Sequence, residues 1–267
     1  MDVFSLEGKV AVVTGALGLL GRHHCQALAE AGANIVVGDL DGEQSQVLAS
    51  TLPTPSLGVS MNVTEPASIT HTLETALTTF SHVDVLVNNA AINDMFESPT
   101  MAAELSKFES YPLAMWKRSL TVNVTGIFLC AQIIGSQMAK QGGGSIINIA
   151  STYGMVGPDQ SLYRTPAGQQ QFYKSPAYPT TKGAVIAFTR YLATYWGEVG
   201  VRVNALSPGG VRNGQEDYFV ANYAAKTPLK RMANPTDYKG AIVFLAGDAS
   251  TYMTGANLVV DGGWTAW

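Results

Sequence analysis

The sequence predicts an α/β fold, a doubly wound parallel sheet of about seven strands with helices on both faces. Three observations predict it. Short β-branched runs alternate with longer amphipathic stretches, the pattern of parallel strands joined by crossover helices. Runs such as Val10-Ala-Val-Val13 and Val85-Leu-Val87 are apolar throughout, as strands buried on both faces must be. The first of them leads straight into a glycine-rich turn, Thr14-Gly-Ala-Leu-Gly-Leu-Leu-Gly21.

In chain order, strands are expected at Lys9–Val13, Asn34–Gly38, Leu57–Met61, Val83–Val87, Ser145–Ala150, Val201–Leu206 and Asn257–Val260. Helices are expected between them, at Leu19–Ala31, Glu43–Thr51, Glu65–Phe80, Leu113–Lys140, Pro179–Val199 and Pro235–Gly247. Pro179 disfavours a helical conformation at the residue before it, so its helix should start near there with the proline in the first turn. No repeat, low-complexity tract or linker divides the chain, and residues 1–267 read as one domain. Two segments break the rhythm, residues 92–112 and 158–177. Loops of that length inside a compact domain usually serve function.

Charged residues make up 13% of the 267 residues and hydrophobic ones 46%, the balance of a chain that buries a core. A net charge of −4 without a Lys/Arg cluster argues against nucleic-acid or acidic-membrane partners. Cys25 and Cys130 sit in apolar helical contexts and read as buried thiols of a reducing compartment. The first residues lack the basic segment and apolar run of a signal peptide, and no run approaches the ~20 apolar residues of a membrane span. A cytoplasmic protein is expected. None of the four histidines stands at a metal-ligand spacing from Cys, Asp or Glu, so no metal is expected.

The glycine turn lets backbone approach a pyrophosphate and aims a helix N-terminus at it. The bland alternative is a tight strand-to-helix turn in which Gly21 serves packing only. The second strand ends in Asp39, where an acid accepts hydrogen bonds from the adenosine ribose hydroxyls and repels a 2′-phosphate. Neither Ala16, Leu17 nor Leu40 supplies an arginine, so NAD is expected over NADP. The alternative for Asp39 is helix capping, a role Asp41 could fill. Further along, Tyr178-Pro-Thr-Thr-Lys182 puts a phenol and an ammonium on one helical face. A nearby cation lowers a phenol from its usual ~10 and makes it an acid or base for neutral pH.

Taken together these residues resemble the short-chain dehydrogenase/reductase family over nearly the whole chain. Asn88-Asn-Ala-Ala91 is similar to its Asn-Asn-Ala-Gly turn, and Asn123 in Val122-Asn-Val-Thr-Gly126 to its helix asparagine. Ser151, closing Ile147-Asn-Ile-Ala-Ser151, is similar to its catalytic serine. Ser207-Pro-Gly-Gly-Val211 is similar to its Pro-Gly turn over the nicotinamide, and Asp261-Gly-Gly263 to its C-terminal signature. The resemblance implies a Rossmann sheet and reversible hydride transfer between a secondary alcohol and NAD. It implies cofactor contacts at Gly15, Leu17, Gly18, Leu19, Gly21, Asp39, Leu40, Asn62, Val63, Asn89, Ala90, Tyr178, Lys182, Pro208, Gly209 and Val211. In that scheme Tyr178 takes the hydroxyl proton, Lys182 lowers its pKa and holds the nicotinamide ribose, Ser151 donates to the substrate oxygen, and Asn123 holds a proton-relay water. Residues 213–230 resemble a mobile lid, with Arg212 or Tyr218 reaching the substrate. A homotetramer, or a homodimer, is implied, paired through Leu113–Lys140 and Pro179–Val199, with Trp264 and Trp267 expected at an interface.

The chain departs from the family pattern in several places. Gly18 comes one position early, as in the larger sugar-nucleotide branch. Asn62 stands where an Asp often contacts adenine, and Ala91 replaces a glycine. Ser151 and Tyr178 are 27 residues apart, longer than usual, and residues 158–177 account for the excess. The stretch from Ser151 through Pro176 resembles a bacterial subgroup linked to flagellin modification and surface glycans, with nonulosonic-acid-type sugars as substrates. The Gln and Tyr content of the inserted segment suits a polyhydroxylated ligand, and Arg164, Tyr173 and Lys174 are its substrate candidates, the two cations for a carboxylate or phosphate. A solvated loop or an oligomer contact is the alternative. The expected function is therefore an NAD-dependent oxidoreductase acting on a sugar or sugar-derived acid. Alternatives are a dehydrogenase of a simpler polyol or ketoacid, or of a hydroxy-steroid, against which the loop polarity argues. A catalytically idle NAD-sensing or scaffolding protein is opposed by the intact Asn123, Ser151, Tyr178 and Lys182.

Overall fold

All seven expected strands form: β1 (Val10–Thr14), β2 (Asn34–Asp39), β3 (Ser56–Ser60), β4 (Val85–Asn88), β5 (Gly144–Ile149), β6 (Val201–Pro208) and β7 (Asn257–Val260). They pair in parallel in the order β3-β2-β1-β4-β5-β6-β7. The computed structural model describes residues 3–93 and 99–267, so part of the 92–112 segment, at 94–98, lies outside the described residues. The helices are α1 (Gly21–Glu30), α2 (Gly42–Ser50), α3 (Pro66–Phe80), α4 (Pro99–Leu105), α5 (Leu113–Gln141), α6 (Ala177–Trp196), α7 (Asp217–Lys226) and α8 (Lys239–Ala246).

The period of two along each strand sorts the core into two layers. Val10, Val12, Val36, Leu86, Ile146 and Val203 face α3, α5 and α6, meeting Ile69, Leu73, Ile134, Met138, Leu192 and Trp196. Ala11, Val13, Ile35, Val85 and Ile147 face the other way, onto Leu28, Ala49, Ile242 and Leu245 of α1, α2 and α8. Truncating one such buried leucine or isoleucine to alanine costs about 2–5 kcal/mol. The chain winds outward from β1 to β3, then restarts at β4 on the other side of β1. That reversal opens a crevice at the carboxyl ends of the strands, where such sheets bind ligands.

Local chemistry explains the helix starts. Asp41 caps α2, its Oδ1 accepting the Gln44 N–H at 3.0 Å, which leaves Asp39 for other work. Pro66 opens α3. Helix α6 starts at Ala177 with Pro179 in the first turn, where a missing N–H removes no intrahelical bond. Helix α5 holds two π turns, Thr121–Thr125 and Ala131–Gly135. By length and composition it could cross a membrane, a correction to the expectation that no segment could. Its inner face is part of the core, and a Cβ on Gly135 would come within 2.8 Å of the Trp196 ring.

Two helices were not expected, α4 and α7. The last expected helix begins as a 3-10 turn over Pro235–Tyr238, where Asn234 and Asp237 form a capping box, and becomes α-helical only at Lys239. Of the expected loop 158–177, Ala177 already belongs to α6, and residues 158–176 form no helix or strand beyond a 3-10 turn at Gln160–Tyr163 and a bridge between Arg164 and Gln170.

Candidate active site

A cavity of about 1030 Å³ lies across the carboxyl ends of the strands. One end is walled by the glycine turn, Asp39, Leu40, Asn62 and Val63. The other is walled by Ser151, Tyr178, Lys182, the inserted segment and residues 208–223. Leu17, Gly18, Leu19, Asn89, Ala90, Pro208, Gly209 and Val211 line it as expected. Gly21 and Asn123 do not, and support the wall from behind.

The glycine turn is sterically determined at two positions. Gly15 has φ +60°, and a Cβ there would sit 2.6 Å from the Ala90 Cα. At Gly21 a Cβ would sit 2.3 Å from the Gly15 carbonyl oxygen, so its role is packing. Gly18 meets only the Gly15 carbonyl, at 3.1 Å, and its open side faces the cavity. Thr14 Oγ1 accepts N–H bonds from Asn89 (3.1 Å) and Ala90 (3.0 Å). In return Asn89 Nδ2 donates to the carbonyls of Thr14 and Gly15, at 3.0 and 2.8 Å. The two turns are thereby locked side by side.

Asp39 is oriented by backbone. Its Oδ2 accepts the Leu17 N–H and its Oδ1 the Leu40 N–H, both at 2.8 Å, while Leu40 itself is 70% exposed. Asn62 uses Oδ1 on the Thr64 N–H and hydroxyl, at 3.0 and 2.8 Å. The start of α1 carries no acidic residue in its first turn, so no side-chain charge offsets the positive end of its dipole toward an anion. A glycine cradle, a helix N-terminus and an oriented carboxylate fit a nicotinamide dinucleotide.

At the other end, Ser151 follows β5 and is 7% exposed. Its Oγ accepts the Tyr153 N–H at 3.2 Å. Tyr178 and Lys182 come from the first turns of α6. Lys182 Nζ donates to the Ile149 carbonyl at 2.7 Å and lies 5.7 Å from the Tyr178 ring centroid. Burial lowers the Lys182 ammonium to about 8. The Tyr178 phenol, by contrast, is raised by burial and pulled back by a hydrogen bond with Ser151. The expected lowering of Tyr178 by Lys182 is thus corrected: desolvation of the phenolate dominates.

Asn123 is held on every side. It is fully buried on the first π turn of α5. Oδ1 accepts the Ile92 N–H at 2.8 Å, and Nδ2 donates to the Ile92 carbonyl (2.9 Å) and Thr181 Oγ1 (3.2 Å). Both amide donors are used, so the side chain acts as a strut under the cofactor turn.

The inserted segment and the lid form one roof. The Tyr163 ring lies 4.7 Å from Phe172 and 5.4 Å from Phe219, and Tyr223 stacks on Trp264 at 4.3 Å. Lys226 pairs with Asp159, whose carboxyl is held down at about 2 by hydrogen bonds from Lys226 and Ser161. The Tyr218 hydroxyl donates to Gln171 Oε1 at 2.6 Å. Trp264, expected at an interface, is half-buried, with one ring face stacked on Tyr223. Trp267 is 77% exposed, with Nε1 on the Lys226 carbonyl at 3.2 Å. Of the three substrate candidates, Tyr173 and Lys174 line the cavity. Arg164 is exposed outside it, its Nε donating to Gln170 Oε1 at 3.0 Å.

Sequence reasoning missed Tyr153, Phe219 and Tyr223 as wall residues, whereas Tyr163, one of the tyrosines of the inserted segment, lines the cavity. One signal was available for Tyr223. Gly210, in the Pro-Gly turn, has no room for a Cβ because the Tyr223 ring would lie 2.5 Å away, and its N–H donates to the Tyr223 hydroxyl at 2.5 Å. Chemically, the assembled end offers a phenol to move a proton, a hydroxyl to donate to a substrate oxygen and a buried ammonium beside them.

Residues 15–265 match the family model described as enoyl-(acyl carrier protein) reductase. The chain is 36% identical to a 3-alpha-(or 20-beta)-hydroxysteroid dehydrogenase of Mycobacterium tuberculosis, over 98% of this chain and 91% of the other. It is 34% identical to a D-threitol dehydrogenase of Mycolicibacterium smegmatis, over 98% and 95%. Among solved structures, a gluconate 5-dehydrogenase from Burkholderia cenocepacia in complex with NADP and tartrate superposes with a TM-score of 0.85. That match has 27% identity and covers 100% of this chain and 98% of the other.

Proposed function

Because the chain belongs to the short-chain dehydrogenase/reductase family, we propose that it is an NAD-dependent dehydrogenase of a secondary alcohol on a sugar or sugar-derived acid. Family membership makes it an oxidoreductase that uses a nicotinamide cofactor. The preference for NAD, the substrate class and a place in surface-glycan or nonulosonic-acid chemistry are the finer parts of this reading. The observation that carries it is the single cavity joining the Gly15 turn and Asp39 to Ser151, Tyr178 and Lys182 under a roof rich in polar side chains.

A bound nicotinamide dinucleotide supplies the hydride acceptor for the alcohol carbon. The chain does the rest. Asp39, tied by Leu17 and Leu40, offers its carboxylate to ribose hydroxyls and sets a like charge against a 2′-phosphate. Ser151 donates to the substrate oxygen; Tyr178, a neutral phenol in its buried setting, gives its proton to that oxygen when a ketone is reduced, and takes the hydroxyl proton back in the reverse direction as the phenolate. Lys182 presents a buried ammonium to the ribose side of the site. Gln171, Tyr173, Asn213, Gln215 and Tyr218 line the substrate end and supply donors and acceptors for several hydroxyls.

A second reading has a specific observation in its favour. Tyr163, Phe172, Phe219 and Met232 also line the cavity and would cover a flat apolar alcohol such as a hydroxysteroid. Turnover with NAD⁺ across aldonates, alditols and hydroxysteroids separates the two, and the proposed reading expects the polar substrates to win. Tyr178→Phe should cut that turnover by at least ~100-fold while NADH still binds. Near-normal turnover in that variant would overturn the role given to Tyr178.

A further inference from the structure

The inserted segment fixes Tyr163 through both its backbone and its ring. Tyr163 closes the 3-10 turn Gln160–Tyr163, which Asp159 caps by accepting the Ser161 N–H at 2.9 Å. The Tyr163 carbonyl accepts the Gln171 N–H at 3.1 Å. Its ring packs on Phe172 of the same segment and on Phe219 of α7. Asp159 pairs with Lys226 at the end of α7, so turn and lid helix are joined at two points. A ring seated in this way loses little freedom when its hydroxyl meets a ligand.

Only 6% of Tyr163 is exposed, and a buried tyrosine needs a partner for its hydroxyl. The cavity is where Tyr163 meets others of its kind, for Tyr153, Tyr178 and Tyr223 share that wall. The phenols converge. Tyr153 is within electrostatic reach of Tyr163 and Tyr178, and Tyr163 of Tyr178 and Tyr223. Tyr153 stands on the turn of the catalytic serine, its N–H donating to Ser151 Oγ at 3.2 Å. Burial raises Tyr153 and Tyr178, and pushes Tyr163 and Tyr223 up to about 12. A hydrogen bond from Tyr153 to Tyr163 adds to the rise of the first and offsets part of the rise of the second. Both phenols stay protonated at neutral pH, and Tyr163, which accepts from Tyr153, keeps its own O–H to give.

We propose that Tyr163 is a specificity-determining residue whose hydroxyl, backed by Tyr153, donates to a second hydroxyl of the substrate beside the one presented to Tyr178, so that the enzyme selects polyhydroxylated compounds over the matching deoxy compounds. The reacting oxygen must come within hydrogen-bond reach of Tyr178 and Ser151. A phenol that converges on that point reaches the carbons next to the reacting one. Accepting from Tyr153 polarises the Tyr163 O–H and strengthens it as a donor. An apolar neighbour at the same place would leave a buried donor without a partner. The inference rests on the dehydrogenase reading of this site and names its substrate class.

The test removes one oxygen at a time from protein and ligand. Threitol, glucitol and gluconate are titrated by calorimetry into the NADH-loaded enzyme, beside butane-1,2,4-triol, 2-deoxyglucitol and 2-deoxygluconate. NADH blocks oxidation, so affinity alone is read. At least one full compound should bind about tenfold or more tightly than its deoxy counterpart, because a site built around a hydroxyl rejects the analogue that lacks it. Tyr163→Phe keeps the ring in its stack and removes only the oxygen. The preference should then shrink at least about threefold, the scale of one neutral hydrogen bond, while the deoxy compound binds as before. Tyr153→Phe should remove part of the preference, and Phe219→Leu, which unseats the ring, should weaken it. NADH affinity reports folding. No full compound preferred over its deoxy counterpart, or a smaller change than this in Tyr163→Phe, overturns the assignment. Turnover with NAD⁺ is then measured separately: a clear preference without turnover of any substrate would sink the dehydrogenase reading and leave the role of Tyr163 standing.

Discussion

Asn123 and Ile92 exchange two hydrogen bonds, Ile92 N–H to Oδ1 at 2.8 Å and Nδ2 to the Ile92 carbonyl at 2.9 Å. The pair joins the first π turn of α5 to the chain leaving the Asn89–Ala91 turn. Asn123→Ala leaves two backbone groups without partners, at about 1–3 kcal/mol for each one kept from water. The expected outcome is a lowered Tm together with a loss of kcat of at least about tenfold. A variant with unchanged Tm and kcat would show that the strut carries no weight.

Asp39 sets the cofactor expectation. NADH should bind at least about tenfold tighter than NADPH, roughly 1.4 kcal/mol. Asp39→Ala combined with Leu40→Arg removes the like charge and supplies a guanidinium, and should narrow or invert the ratio. Fluorescence titration of both cofactors decides it, and equal affinities in the unmodified protein would refute the preference.

A row of rings runs along the outer face of α5 and α6. Phe128 and Phe188 lie 6.2 Å apart, Phe188 and Tyr191 6.3 Å, Tyr191 and Tyr195 6.0 Å. Phe128, Tyr191 and Tyr195 are 44%, 59% and 65% exposed, an apolar stripe of the kind that marks association. A homotetramer built on paired helices is expected in light scattering at micromolar concentration. Tyr191→Glu with Tyr195→Glu should break it into smaller species. A monomeric parent protein would contradict the assignment of this face.

His24 is fully buried, and neither ring nitrogen has a hydrogen-bond partner among the described residues. Burial first, and His23 second, lower it to about 4 from 6.5. The unfolded chain binds this proton near 6.5 and the folded chain only near 4, so stability is lost as pH falls through that window. The loss from this group is on the order of 3 kcal/mol at the acid end, with none above pH 6.5. His24→Leu should therefore flatten the fall of Tm between pH 7 and pH 4.5. Parallel Tm curves for the two proteins would rule the histidine out.

Much of this was legible in the sequence because the relevant physics is local. Val10–Val13 reads as a strand because it is apolar at every position, and Asp39 reads as the end of β2 from its distance to the glycine turn. Asp41 caps α2 through a residue three positions away. What was not legible depends on partners far along the chain. Gln160 clamps Lys174 and Tyr163 packs on Phe219 only once the roof has folded. The π turns of α5 leave no mark in the order of residues. The rise of Tyr178 could not be read either, because the spacing to Lys182 says nothing about how far water is excluded from the phenol. The stacking of Trp264 on Tyr223 was hidden for the same reason: the two rings lie 41 positions apart in the chain.

The aromatic ladder from Phe172 through Tyr163, Phe219 and Tyr223 to Trp264 has a consequence for remodelling this enzyme. Its rungs come from three separated stretches, residues 158–177, the lid helix and the C-terminal signature. Residues 158–177 cannot be transplanted alone into a relative. Without Phe219, Tyr223 and Trp264 to seat it, the graft would lose the rings that hold Tyr163 and Phe172 in place. The roof of this site is a joint property of three segments, and a donor sequence must supply all of them.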